Sequence, residues 1–202
     1  MKSEPSASSR AAKADATRAA ILASARKAFA EHGYDGAGLR GIAEAAGVTA
    51  MMVGRYFGSK EGLFGEVVTD TMRDPTILSR GNLDRADLPR AFAEALVGVT
   101  TQGQTPLDGF LIAFRSAGSA TAARIARERI AQVHHATATA AISGDHASER
   151  AALFLAFVAG VQMMRQMLEL EPLTKAEPAL LADLLTPVIA SLIEPDKSGT
   201  VE

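Results

Sequence analysis

A chain of 202 residues, 48% hydrophobic and 22% charged, is long enough for one medium domain or two smaller ones and has globular composition. It contains no cysteine, which excludes disulfide frameworks, zinc–thiolate sites and thiol chemistry and suits a reducing, cytoplasmic setting. A formal net charge of −2 excludes a protein that is basic over its whole surface. The charge is uneven, however. Residues 10–60 hold the cations Arg10, Lys13, Arg18, Arg26, Lys27, Arg40, Arg55 and Lys60 against the acids Asp15, Glu31, Asp35 and Glu44. That imbalance points to a nucleic-acid-facing N-terminal part.

In chain order, residues 1–14 offer Ser, Ala, Pro and scattered charges without the apolar core of a signal peptide, and read as a flexible tail. Ile21, Leu22, Ala25, Ala28 and Phe29 then recur at helical spacing until Gly33, which is expected to stop the helix, with Tyr34 folding back on its end. A short helix, Leu39 to Ala46, ends at Gly47, and Thr49 begins another that runs to Phe57. Ser59 is placed to cap a fourth, lying within 60–72. Residues 79–87 form a break rich in Gly, Asn and Asp. Five longer helices follow, over 88–101, 106–118, 121–142, 146–169 and 175–193, with a kink or restart expected at Pro187. No stretch shows the two-residue alternation of a strand. The expectation is an all-α protein of about nine helices, with a helix-turn-helix domain over 15–73, a second helical domain over 74–195 and a tail over 196–202. The longest apolar run, Ala151 to Met164, is interrupted by Gln162 and closed by Arg150 and Arg165. It falls short of the roughly 20 residues of a membrane helix, so no membrane partner is expected.

The segment Leu39–Lys60 carries the functional signal. Two short helices meet at Ala46-Gly47-Val48-Thr49, the length and glycine placement of a helix-turn-helix. Ile42 and Ala43 face the neighbouring helices, Gly47 supplies the turn conformation, and Thr49 caps the second helix. The outer face of that helix then offers Ala50, Met51, Met52 and Arg55, with Tyr56 and Lys60 beside it; Phe57, adjacent to Tyr56, is expected in the core. In these residues the chain resembles the DNA-binding domain of the TetR family of transcriptional regulators. The likeness runs from Thr17 to Phe64 through Ala28-Phe29, Gly33-Tyr34, Ile42-Ala43-x-x-Ala46-Gly47-Val48-Thr49 and Tyr56-Phe57-x-x-Lys60-x-x-Leu63. By matching position it implies that Thr49, Tyr56 and Lys60 contact DNA backbone, that Arg40 reaches phosphate from the side, and that Ala50, Met51 and Arg55 lie nearest the bases. Met51 and Met52 suit apolar contact with thymine methyls, and Arg55 suits base reading. Two positions depart from the family pattern: Gly38 stands where a Thr or Ser cap is usual, and Gly54 where a tyrosine is usual.

The rest of the chain resembles the family's ligand-binding and dimerisation domain through its helix count, its length and its apolar penultimate helix. The resemblance implies an effector pocket lined by Phe92, Leu96, Phe110, Phe114 and Val133, with Arg115, His134, Thr137 and Gln162 as polar points. The penultimate helix is apolar on all sides and cannot be covered within one small subunit. With the stripe on the last helix it predicts a symmetric homodimer joined through Phe154, Phe157, Val158, Val161, Leu181, Leu184, Leu185 and Val188. Its two reading helices are expected to meet half-sites about one DNA turn apart, roughly 34–36 Å. His134-His135 lacks the spacing of a metal site, and no nucleophile–base grouping or phosphate loop is present, so neither an enzyme nor a cofactor is expected. The expected function is a repressor that binds a palindromic operator on double-stranded DNA and is released by a small, mainly apolar effector. The residues leave two alternatives open: a DNA-binding regulator without an effector, and a small-molecule binding protein that has lost DNA binding.

Overall fold

The structure is a computed structural model describing residues 7–101 and 108–194. These hold eleven helices when two π-type turns are counted with the α-helices they extend, and no strand. Two helices beyond the expected nine are single turns, Arg80–Leu83 and Glu171–Thr174, falling where Gly, Asn and Pro suggest only breaks. The helices sort into two compact units, one of residues up to Thr71 together with Asp108–Arg129, the other of the remainder.

The first unit begins with α1 (Ala7–Gly36). Its start corrects the tail expected over residues 1–14. Ala11, Ala12, Ala16, Ala19 and Ala20 are exposed and carry helix propensity without burial, so the helix begins well before its buried stripe. Residues 1–6 lie outside the described residues. Ile21, Ala25 and Phe29 are the buried stripe of α1. Gly33 (φ 66°, ψ −177°) leaves helical backbone and ends the regular run of α1 as expected, and a last short turn resumes beyond this kink as far as Gly36. A Cβ there would stand 2.5 Å from the Arg115 carbonyl oxygen, so only glycine fits. Tyr34 does fold back: its ring stacks on Phe29 at 6.2 Å and meets Phe64 edge-on at 5.1 Å. α2 (Leu39–Ala45), α3 (Ala50–Phe57) and α4 (Lys60–Thr71) follow, contributing buried Ile42, Ala43, Val53, Phe57, Leu63, Phe64, Val67 and Val68. A fully buried Phe or Leu contributes about 1.5–3 kcal/mol.

The stretch 108–129, assigned from sequence to the second domain, packs with this first unit. α7 (Asp108–Ser116) lies along α1: Arg26 Nε donates to Asp108 Oδ2 at 2.7 Å, and Ser116 Oγ accepts from the Tyr34 amide at 2.9 Å. Arg115 donates to the Ala30 carbonyl, and Gly109 gives Thr71 of α4 room. The beginning of α8, Ala120–Ile130, adds buried Ala122, Ile125 and Ala126.

In the second unit α8 continues through a π-type turn, Ala131–His135, into Ala136–Ala141. α5 (Arg80–Leu83) is capped by Ser79, and α6 (Leu88–Val99) by Asp87, whose Oδ1 accepts from the Arg90 amide at 3.0 Å. α9 (Ala147–Met167, its last turn π-type), α10 (Glu171–Thr174) and α11 (Pro178–Ile193) complete it. The core is built on Phe92, Leu96, Phe154, Leu181 and Ile189, with the rings of Phe92 and Phe154 5.2 Å apart. Arg165 is buried in it and donates to the Val97 carbonyl at 2.9 Å, the Leu173 carbonyl at 3.1 Å and the Thr100 hydroxyl. Burial pulls its pKa below the usual arginine value. Pro187 does not restart α11. The helix is continuous through it, held on both sides by buried Leu181, Ala182, Ile189 and Ile193, and the Thr186 hydroxyl donates to the Ala182 carbonyl. The tail over 196–202 lies outside the described residues.

Candidate nucleic-acid interface

The turn between α2 and α3 is built by backbone bonds around one left-handed glycine. Gly47 has φ 67°, its amide donates to the Glu44 carbonyl at 3.0 Å, and the Val48 amide donates to the Ala43 carbonyl at 2.9 Å. Thr49 has extended backbone, and its hydroxyl accepts from the Met52 amide at 3.4 Å, the cap expected from the sequence. Gly38 sits at the matching position of α2 with φ −92° and ψ 138° and offers no side-chain cap.

α3 is therefore a short helix anchored by two side chains one turn apart, Val53 and Phe57, both buried. Its opposite side is free. Met51 is 85% exposed, Ala50 and Arg55 are exposed, and Met52 and Tyr56 are half-buried on the flank. Gly54 stays helical, and a Cβ built there meets nothing within 4 Å, so this glycine does not break the helix. Arg40 is exposed on the first turn of α2. Lys60 opens α4 half-buried, its ammonium 4.6 Å from the centre of the Tyr34 ring, so part of its charge already rests on an aromatic face. Ser59 Oγ accepts from the Gly62 amide at 3.1 Å and starts α4 as expected. In the same turn a backbone hydrogen bond, then bonds from Ser59 and Tyr34, hold the Glu61 carboxyl below its usual range. Burial, followed by the negative charge of Glu61, pushes the Tyr34 hydroxyl up. The eight residues proposed from sequence, Arg40, Thr49, Ala50, Met51, Met52, Arg55, Tyr56 and Lys60, thus all belong to this helix-turn-helix or the turn beside it.

The residues expected to line one effector pocket are distributed over both units. Phe110, Phe114 and Arg115 lie on α7 in the first unit, drawn there by the contacts with α1, and Phe114 is 47% exposed. Phe92 and Leu96 are core of the second unit, Gln162 is buried there, and Val133 and His134 are half-buried in the π-type turn. Burial lowers the His134 pKa. Thr137 does line a pocket. It opens to solvent, has a volume of about 590 Å³ and is walled by Leu83, Leu88, Ala136, Ala140 and Ala141. Those five were not picked out from the sequence. The alanines four apart beside Thr137 were the available signal, since small residues on one helix face leave space.

The apolar helices also need correction. Phe154, Val158 and Leu181 are buried inside their own protomer, because the inner stripe of α9 (Ala151, Phe154, Val158, Gln162, Arg165) faces the core. On the outer side Leu153 is 57% exposed, while Phe157 and Val161 are half-buried against the protomer's own core. On α11, Leu184 is 60% exposed, Leu180 and Val188 are exposed and Leu185 is half-buried. Leu153 and Leu180 are exposed one turn before Phe157 and Leu184, two of the residues expected at the interface. By length and composition α9, with mean hydropathy 1.2, is long and apolar enough to cross a membrane, and its inner stripe is core of the second unit.

Comparison with known proteins divides the chain by sequence, at a boundary before residue 86, and keeps 108–129 with the C-terminal part although those residues pack in the first unit. Residues 21–67 match the model described as bacterial regulatory proteins, tetR family, and residues 86–193 match that of the tetracyclin repressor-like C-terminal domain. The chain is 48% identical to the HTH-type transcriptional repressor AcnR of Corynebacterium glutamicum over 48 residues, 24% of this chain and 26% of that protein. The match spans about a quarter of that relative's length. Among solved structures, a TetR-family regulator from Streptomyces coelicolor A3 has TM-score 0.59 and 24% identity, covering 89% of this chain and 95% of its own. AibR, solved with isovaleryl coenzyme A and operator DNA, has TM-score 0.59 and 21% identity, covering 88% and 98%.

Proposed function

Since the chain belongs to the TetR family of bacterial regulatory proteins, we propose that it is a cytoplasmic, DNA-binding transcriptional repressor that occupies a palindromic operator as a homodimer and leaves it when a small, mainly apolar molecule binds the second unit. The observation that carries this reading is α3, a capped helix pinned by Val53 and Phe57 with Met51 and Arg55 facing outward. Arg55 reads base edges, Met51 and Met52 fill the groove against thymine methyls, and Arg40, Thr49, Tyr56 and Lys60 hold backbone. The exposed stripe of Leu153, Leu180, Leu184 and Val188 supports a homodimer, because a second copy is the partner that brings a matching stripe. AibR, solved with isovaleryl coenzyme A and operator DNA, is a fold neighbour with both kinds of partner and supports a small ligand for this chain; the depression beside Thr137 is open to solvent and does not itself enclose one. An effector that weakens operator binding 100-fold needs a coupling of about 2.7 kcal/mol.

The test is recovery of bound fragments from source genomic DNA at two salt concentrations. Arg40 and Lys60 from each of two protomers make four phosphate contacts, so affinity should fall on the order of 100-fold between about 50 and 200 mM salt. Enrichment of one palindromic site with that salt dependence is the expected result. Weak, uniform binding, or none, refutes the reading.

A further inference from the structure

We propose that Arg18 is a positioning residue for DNA reading: from α1 it covers the ring of Phe57 and ties it to Glu66 of α4, setting the angle at which α3 meets the duplex. This rests on the DNA-binding reading above. The guanidinium carbon lies 5.1 Å from the centre of the Phe57 ring, and Nη2 donates to Glu66 Oε2 at 2.6 Å. Arg18 lies on α1 three residues before residue 21, where the match to the family's DNA-binding model begins.

Phe57 is the point that needs holding. It is the last residue of α3 and one of only two buried side chains anchoring that helix. Gly58 follows with φ 74°, a conformation from which the chain turns away at once. Gly62 of α4 approaches so closely that a Cβ there would stand 2.2 Å from the Phe57 carbonyl oxygen. The backbone of Phe57 is thus set by α4 and its ring by Arg18. A planar guanidinium can lie over a ring while bonding a carboxylate; a lysine ammonium cannot match that geometry.

The lever is short and its tolerance small. A helix of eight residues is about 12 Å long, so a 10° tilt about one end moves the other by about 2 Å, against roughly 0.5 Å tolerated by a working contact set. The Arg18 and Glu66 side chains are 39% and 48% exposed. An exposed ion pair adds little to global stability, so loss of the clamp should register in DNA reading before it registers in melting.

The experiment compares the full chain with Arg18→Ala, Arg18→Lys, Glu66→Gln and the Arg18→Ala/Glu66→Gln pair, on the selected operator and on a random duplex, across salt. Arg18→Ala should lose about five- to tenfold in operator affinity, with random-duplex affinity and salt slope unchanged. Arg18→Lys should recover only part, and the double variant should be no worse than Arg18→Ala. An equal loss on both duplexes with a salt slope smaller by about two per dimer would overturn the proposal and make Arg18 a phosphate ligand. Hydrogen exchange at the α3 amides without DNA keeps the two readings apart. Faster exchange at Arg55–Phe57 in Arg18→Ala is expected even if wild type binds no duplex, and unchanged exchange overturns the clamp.

Discussion

Replacing Gly54 by alanine should make the protein more stable, against the usual direction for a substitution in a functional helix. Gly54 lies inside α3, has helical backbone, and a Cβ built on it meets nothing within 4 Å. The glycine therefore costs the folded state conformational entropy without a turn or close neighbour that requires it, and alanine should recover about 1 kcal/mol. For a chain of this size that amounts to roughly 2–4 °C in Tm, measured by thermal unfolding at fixed protein concentration. Gly54→Tyr, which restores the residue usual in the family, adds a hydroxyl at the groove edge and should raise duplex affinity about fivefold, the equivalent of one neutral hydrogen bond of about 1 kcal/mol. A fall in Tm for Gly54→Ala would refute the reasoning, because it would mean that position 54 cannot hold a Cβ in its native conformation.

Gly62→Ala should act in the opposite direction. Its Cβ would collide with the Phe57 carbonyl oxygen, and the forced shift should cost about 1–3 kcal/mol in urea unfolding; an unchanged midpoint would refute that contact. Leu184→Glu, at an exposed apolar position, should leave the helical signal intact and convert a dimer to monomer in sedimentation velocity, whereas an unchanged mass would remove α11 from the interface. His134 has its pKa lowered by burial from the ordinary 6.5, so the unfolded chain binds the proton more readily. Its contribution to stability is complete above about pH 6.5 and is lost as pH falls through the lowered folded value, so wild type should lose more Tm on acidification than His134→Gln; parallel curves would contradict this.

Much of the DNA-facing unit was legible because its signals are local. Gly47, the Thr49 cap and the spacing of Ile42, Ala43, Val53 and Phe57 all act within a few residues, and α2 and α3 follow them. The allegiance of α7 was not legible, since Arg26–Asp108 and Tyr34–Ser116 each join residues 82 apart in sequence. Periodicity is also silent on α9: a helix apolar all round does not declare which stripe is inner, so the sequence does not distinguish buried Phe154 and Val158 from exposed Leu153. The glycines divide in the same way. Gly47 and Gly33 are marked by the helices they end, whereas the tight approach of Gly33 to the Arg115 carbonyl exists only once the fold is assembled.

The central claim, that the outward face of α3 reads DNA, is tested most directly by Arg55→Ala and Arg40→Ala with the selected operator and a random duplex at one salt concentration. Arg55→Ala should weaken the operator complex by about 1–3 kcal/mol while leaving the random complex nearly unchanged, and Arg40→Ala should weaken both alike. If Arg55→Ala leaves the ratio of the two affinities unchanged, α3 is not the reading element and the account is wrong.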